Sequence, residues 1–265
     1  MKYGMPTLVE CLDIYECRNV AVESGLDFIE INMSFPQYQP SSLDAAVLRE
    51  ISSKDGIFYT IHADEMLNPF DFNPKVSECY FDVMRDTIRF AKEASIPIIN
   101  MHLLKGVYVT LPGKVILLND VYRDNYIEKV KQFVKMCEEE IGNSGVKIAI
   151  ENVDSNPFTE SQLEALPIFL GSAAFALTLD TGHEFCLDFQ DSFVFDRYSE
   201  KLLHMHLHDA KGKSAHLPLG EGNVNISDKI SVLKGGTCLI EVKTIAGLKS
   251  SVEYLKNNNL WEKIR

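Results

Sequence analysis

Eight times along the chain a short apolar run stops at a polar residue and gives way to a stretch with helical spacing or a polar loop. The runs cover residues 1–6, 27–31, 57–61, 97–101, 146–150, 174–179, 203–208 and 238–240. Between and after them, helices are predicted at about residues 7–24, 43–54, 76–94, 121–141, 161–169 and 245–256, the second capped by Ser41-Ser42. Near-continuous apolar strands alternating with helices are what parallel strands buried on both faces require. Eight such units in 265 residues predict an α/β chain folded as a single (β/α)8 TIM barrel, with residues 1–265 as one domain. A doubly wound sheet is the other fold this alternation allows, but no glycine-rich turn follows the first strand as a dinucleotide site needs. The loop after the fourth strand, with Gly106 and Pro112-Gly113, is long enough to serve as a lid.

In a closed barrel the carboxyl-terminal ends of the strands converge on one mouth. Glu30, His62, His102, Glu151, Asp180, His206 and Glu241 all fall at such ends, so residues far apart in the chain are predicted to share a pocket. The seventh run is the richest: four of the seven histidines lie between His204 and His216. His204, His206 and His208 alternate with apolar residues, which places them on one face of a strand, with His204 deepest and read as a packed residue. Glu151, Asp180 and Glu241 brought together would repel one another, and a divalent cation is the simplest neutraliser. With His206 they form an oxygen and nitrogen donor set suited to Mn²⁺, Zn²⁺, Co²⁺ or Mg²⁺, without sulfur.

Composition removes several other classes. A net charge of −12 without a Lys/Arg cluster disfavours nucleic acid as a partner, because that affinity rests on basic side chains. No apolar run approaches the roughly 18 residues of a membrane span. The first six residues lack the apolar core of an export signal, and the six cysteines show no CxxC spacing, which together predict a reduced, cytoplasmic protein. A small molecule is therefore the expected partner, with a homodimer as the expected assembly.

Ile150-Glu151-Asn152, Leu179-Asp180-Thr181-Gly182-His183, His206-Leu207-His208-Asp209, His216-Leu217-Pro218-Leu219-Gly220-Glu221-Gly222 and Ile240-Glu241 resemble, in order and position, the xylose isomerase-like barrel superfamily. That superfamily includes sugar and sugar-phosphate isomerases and epimerases, inosose dehydratases and endonuclease IV-type repair enzymes. The resemblance implies that Glu151, Asp180, His206 and Glu241 bind one catalytic metal. It also implies that Glu151 and Glu241 move the substrate proton through a metal-stabilised enediolate, while His183 contacts a substrate oxygen. The substrate would be a small sugar, sugar phosphate or related polyhydroxy carbonyl compound. An inosose-type dehydratase, in which the same intermediate expels a hydroxyl, and a phosphodiesterase of the repair type are the alternatives. His62, His102, His183 and His216 align with further metal ligands of the repair branch, so a second metal on His62, His102 and Glu151 is open. A third site lacks its aspartate, since Ser214 stands there. Otherwise His62 and His102 would bind substrate hydroxyls.

Other residues carry lighter expectations. Glu30 is placed to touch substrate or to hold a ligand histidine, and His208 and Asp209 to orient metal ligands or, for the aspartate, to cap a loop. Lys211, Lys213 and Lys243 are candidates for a substrate anion, and Gly220-Glu221-Gly222 for a phosphate loop. Phe35, Phe70, Tyr108 and Trp261 are candidate pocket walls.

Overall fold

The computed structural model describes residues 1–153 and 155–261. Its centre is a closed barrel of eight parallel strands, each hydrogen-bonded to the next in chain order. They are β1 (Lys2–Pro6), β2 (Phe28–Asn32), β3 (Phe58–His62), β4 (Ile98–His102), β5 (Lys147–Glu151), β6 (Phe175–Asp180), β7 (Leu202–Leu207) and β8 (Thr237–Ile240). β8 pairs with both β7 and β1, which closes the ring and leaves no exposed edge. Helices Ile14–Ser24, Ala45–Asp55, Pro74–Ala94, Arg123–Ile141, Glu160–Gly171 and Ile245–Asn257 surround it. Among the described residues no helix is long and apolar enough to cross a membrane. All six cysteines are free, and all but Cys79 are buried.

Two layers of packing follow from the period-two alternation of strand side chains. Facing outward, strand residues pack on the helices in one core that includes rings of Phe70, Phe81, Tyr126, Phe133, Phe169 and Phe175 in edge or tilted contact. Inside, Ile98, Ala149 and Ala176 form a separate small apolar cluster. Two and four residues further along the same strands come Asn100 and His102, Glu151, and Thr178 and Asp180, so the interior becomes polar towards the mouth. Register then brings the strand-end residues together. His102 pairs with Glu151, Asp180 with His206, and His206 with Leu239, two residues before Glu241.

Several boundaries differ from the sequence expectation. The first helix begins at Ile14, not near residue 7, because Asp13 accepts the Tyr15 and Glu16 N–H groups and fixes the cap there. Thr7, Leu8 and Val9 instead line the mouth. Asp44, rather than Ser41-Ser42, caps the second helix. The presumed lid is an antiparallel hairpin, Tyr108–Leu111 with Lys114–Leu117. A one-turn helix, Leu118–Val121, follows it, and the next helix begins only at Arg123. Short helices at Thr181–Cys186 and Ser192–Arg197, and a hairpin of Asp209–Lys211 with Ser214–Leu217, were not expected. Their elements are too short for periodicity to register.

Candidate metal centre at the barrel mouth

One donor atom from each of Glu151, Asp180, His206 and Glu241 lies within 4.8 Å of the other three, and all four residues are buried. His206 Nδ1 is 3.1 Å from Glu151 Oε1 and 3.0 Å from Glu241 Oε2. All three of these atoms are buried and lack a hydrogen-bond partner. Buried polar atoms in proteins are normally satisfied, so three orphans facing one another mark a place for a shared ligand. A divalent cation fits this set: two carboxylate oxygens and an imidazole nitrogen converge, with Asp180 Oδ2 3.8 Å from the same nitrogen.

The electrostatics agree. Burial alone would raise the Glu151 and Glu241 carboxyls, but the charge of His206 holds both well below the usual carboxylate range. Reciprocally, burial would lower His206, yet the charges of Glu151, Glu30 and Glu241 hold it well above the ordinary imidazole value. A divalent cation held by the same atoms would likewise offset the carboxylate charge.

Three of the four residues have polar partners behind them. Asn100 Nδ2 donates to Glu151 Oε2. The Asn152 side chain brackets the Asp180 backbone, donating to its carbonyl at 3.0 Å and accepting its N–H at 2.9 Å. His206 Nε2 is 3.0 Å from Glu30 Oε1, while Glu30 Oε2 accepts from Thr60 Oγ1 at 2.8 Å and lies 3.0 Å from His204 Nε2. His204 in turn meets Thr237 Oγ1 at 2.6 Å. Burial would raise Glu30, but His206 and His204 hold it well below the carboxylate range. A buried string thus runs from Thr237 through His204 to Glu30, whose other oxygen lies beside His206. Asn100 and Thr60 lie two residues before the strand-end His102 and His62, so the period of two places them on the same faces, a signal that the strand ends alone do not carry.

His62 and His102 stand on the other side of Glu151. Their Nε2 atoms are 3.5 and 3.3 Å from Glu151 Oε2, and the two rings meet edge to face. His62 Nδ1 lies 2.8 Å from the Ala63 carbonyl, a contact only an N–H can make, so Nε2 is the nitrogen that faces Glu151. Burial would lower the His62 pKa, but the hydrogen bond and charge of Glu151 raise it to about 9. His183 Nδ1 is 3.1 Å from the Asn152 carbonyl. His216 is pushed down to about 4, because burial outweighs the charge of Glu241.

Two cavities of about 290 Å³ each open over the cluster and share His62, Glu65, Glu241 and Lys243. One is walled by Pro6, Leu8, Val9, Phe35 and Leu239, the other by His102, His183 and His216. Lys243 pairs with Glu241 Oε1 at 2.8 Å, whereas Lys211 is exposed on the second hairpin and lines neither cavity. Lys213 reaches the Cys186 carbonyl and also stands apart from the mouth. Of the expected aromatic walls, Phe35 lines a cavity. Phe70 is in the core, Tyr108 is exposed on the first hairpin, and Trp261 stacks on Tyr3 at 4.8 Å. The Gly220-Glu221-Gly222 segment is not an open phosphate loop: the Gly220 and Gly222 N–H groups both donate to Asp209 Oδ2.

An uncharacterized protein of Methanocaldococcus jannaschii is 27% identical over 97% of this chain and 88% of its own length. Among solved structures, a D-tagatose 3-epimerase-like protein superposes with a TM-score of 0.77 and 25% identity, over 100% of both chains. The IOLI protein, solved with a binding zinc atom, has the same fold with a TM-score of 0.74 at 16% identity, over 98% of both chains. The sequence also matches the family described as xylose isomerase-like TIM barrel over residues 19–258, most of its length, and the chain belongs to that family.

Proposed function

We propose that the protein is a divalent-metal-dependent isomerase or epimerase of a small polyhydroxy carbonyl compound. The observation that carries this is the convergence of Glu151, Asp180, His206 and Glu241, with three orphaned donor atoms, on the floor of a sugar-sized mouth. The likeness to a D-tagatose 3-epimerase-like protein and the zinc bound by the IOLI protein support it. A cation in this set would polarise the substrate carbonyl and acidify the adjacent C–H. Glu151 and Glu241 are the bases: one removes the proton and the other returns one, to the opposite face for epimerisation or to the neighbouring carbon for isomerisation. His62, His102 and His183 present ring nitrogens to substrate hydroxyls. Leu8, Val9 and Phe35 give the mouth an apolar wall beside the donor cluster.

Elemental mass spectrometry of gently purified protein tests the metal. About one equivalent is expected in the wild type, lost in Glu151→Gln and retained in His62→Ala/His102→Ala. Two equivalents, one of them lost with the histidines, would instead add a second metal on His62, His102 and Glu151. No bound metal, together with no binding of added Mn²⁺ or Zn²⁺, sinks the reading. Incubation with a panel of ketoses in D₂O, followed by NMR, then checks for deuterium incorporation and a new epimer or aldose of unchanged carbon skeleton.

A further inference from the structure

His183, His208 and His216 form a second cluster beside the metal set, with ring centroids 5.4, 5.2 and 4.2 Å apart. Three imidazoles at that spacing resemble a site for another cation. The hydrogen bonds assign the cluster differently. His208, one residue beyond the end of β7 and fully buried, has both ring nitrogens engaged. Its Nδ1 is 2.8 Å from the backbone N–H of His216, which can only donate. The Asp209 carbonyl is a longer 3.2 Å from the same nitrogen. A ring nitrogen that accepts carries no proton, so the proton of the neutral ring sits on Nε2. Nε2 lies 2.9 Å from Asp180 Oδ1 and 3.1 Å from Oδ2, and there it donates.

We propose that His208 is a positioning residue for Asp180: the His216 N–H selects the Nε2–H tautomer, and that N–H holds the carboxylate in its ligand orientation. The hairpin of Asp209–Lys211 and Ser214–Leu217 thereby becomes a structural part of the metal centre. Two further features fit. His216 adopts φ +57°, a left-handed backbone that costs a non-glycine residue energy and persists only where its surroundings enforce it. A Cβ on Gly182 would lie 2.0 Å from His208 Cε1, so the ring packs directly on the first turn of the helix that Asp180 caps. With His208 committed at both ends, neither of its ring nitrogens is free to bind a further cation beside His183 and His216. The inference rests on the proposed role of Asp180 as a metal ligand.

Two substitutions separate the ends of the ring. His208→Gln can keep an N–H donor near the Nε2 position but loses the Nδ1 acceptor, whereas His208→Asn can keep the acceptor and loses the donor to Asp180. Mn²⁺ affinity, measured by calorimetry on variants whose melting is also recorded, is expected to weaken about 10–100-fold in His208→Asn and about threefold or less in His208→Gln. Equal losses in the two variants, or none in His208→Asn, overturn the proposal. Histidine ring ¹⁵N–¹H correlation spectra of the wild type give a reading that does not depend on metal. His208 is expected as the Nε2–H tautomer, and an Nδ1–H tautomer overturns the proposal even if both variants fail to fold. A wild type that binds no Mn²⁺ fails the metal reading, while the tautomer still decides the positioning role.

Discussion

Glu241→Gln is expected to lower kcat for epimerisation about 10²–10⁴-fold, the usual weight of one positioned general acid or base. The substitution keeps the shape of the side chain and removes its charge and basicity. Fold stability should change modestly: of the partners it leaves, Lys243 is 57% exposed and can be solvated, and the buried His206 keeps Glu151 and Glu30 beside it. Glu241 Oε2 also lies 3.0 Å from His206 Nδ1, so metal affinity falls as well, and kcat must be read at saturating Mn²⁺ with metal content measured in the same sample. The discriminating readout is isotopic. With Glu151 intact, the substrate epimer whose C–H faces Glu151 should still exchange that hydrogen with D₂O, without inversion. Glu151→Gln should show the converse, exchange of the other epimer. If both variants, fully metallated, turn over within tenfold of wild type, the two-carboxylate reading fails.

The convergence of the four donor residues was legible because it depends on a property that sequence displays directly. In a parallel barrel the last residues of all strands face one mouth, so the polar stops of four apolar runs, Glu151, Asp180, His206 and Glu241, had to meet wherever the strands lay in register. What supports them was less legible. Asn152 was visible only as part of a motif, and its bracket on the Asp180 backbone needs β5 beside β6. The Gly220 and Gly222 spacing suggests a phosphate loop from local pattern alone, but the acceptor that takes their N–H groups is Asp209, on a separate strand. The loop expected as a lid has a hairpin signal of its own. Tyr108 to Leu111 and Lys114 to Leu117 flank Pro112-Gly113, a turn pair between strand-forming runs, and they fold as the hairpin such a pattern encodes. The displaced start of the first helix has a similar origin, since Asp13 was a stronger cap than any residue near position 7.

The largest loss of stability is expected at Asp209, which touches no proposed ligand of the metal. Its carboxylate is buried and accepts four backbone N–H groups. Oδ1 takes those of Ala210 and Val224, each at 2.9 Å, and Oδ2 takes those of Gly220 and Gly222 at 3.0 and 2.8 Å. The approach is close enough that a Cβ on Gly222 would lie 2.3 Å from Oδ1, so the loop is moulded on this side chain. Asp209→Ala removes every acceptor at once and leaves donors that water reaches only if the loop opens. A buried donor left without a partner costs about 1–3 kcal/mol. Partial opening of the loop limits the sum, and about 3–5 kcal/mol is expected overall, in the range for breaking a buried charged partnership. At roughly 2–4 °C per kcal/mol for a chain of this size, Tm should fall by about 6–20 °C. Asp209→Asn, with one oxygen to serve two of the four donors and an amide facing the other two, should fall between. Because the loop and the hairpin share Asp209, and His208 precedes it, Asp209→Ala should also weaken Mn²⁺ binding at temperatures where the protein remains folded. A melting curve within 1 kcal/mol of wild type would falsify the assignment of Asp209 as the residue that holds residues 218–224 against the barrel mouth.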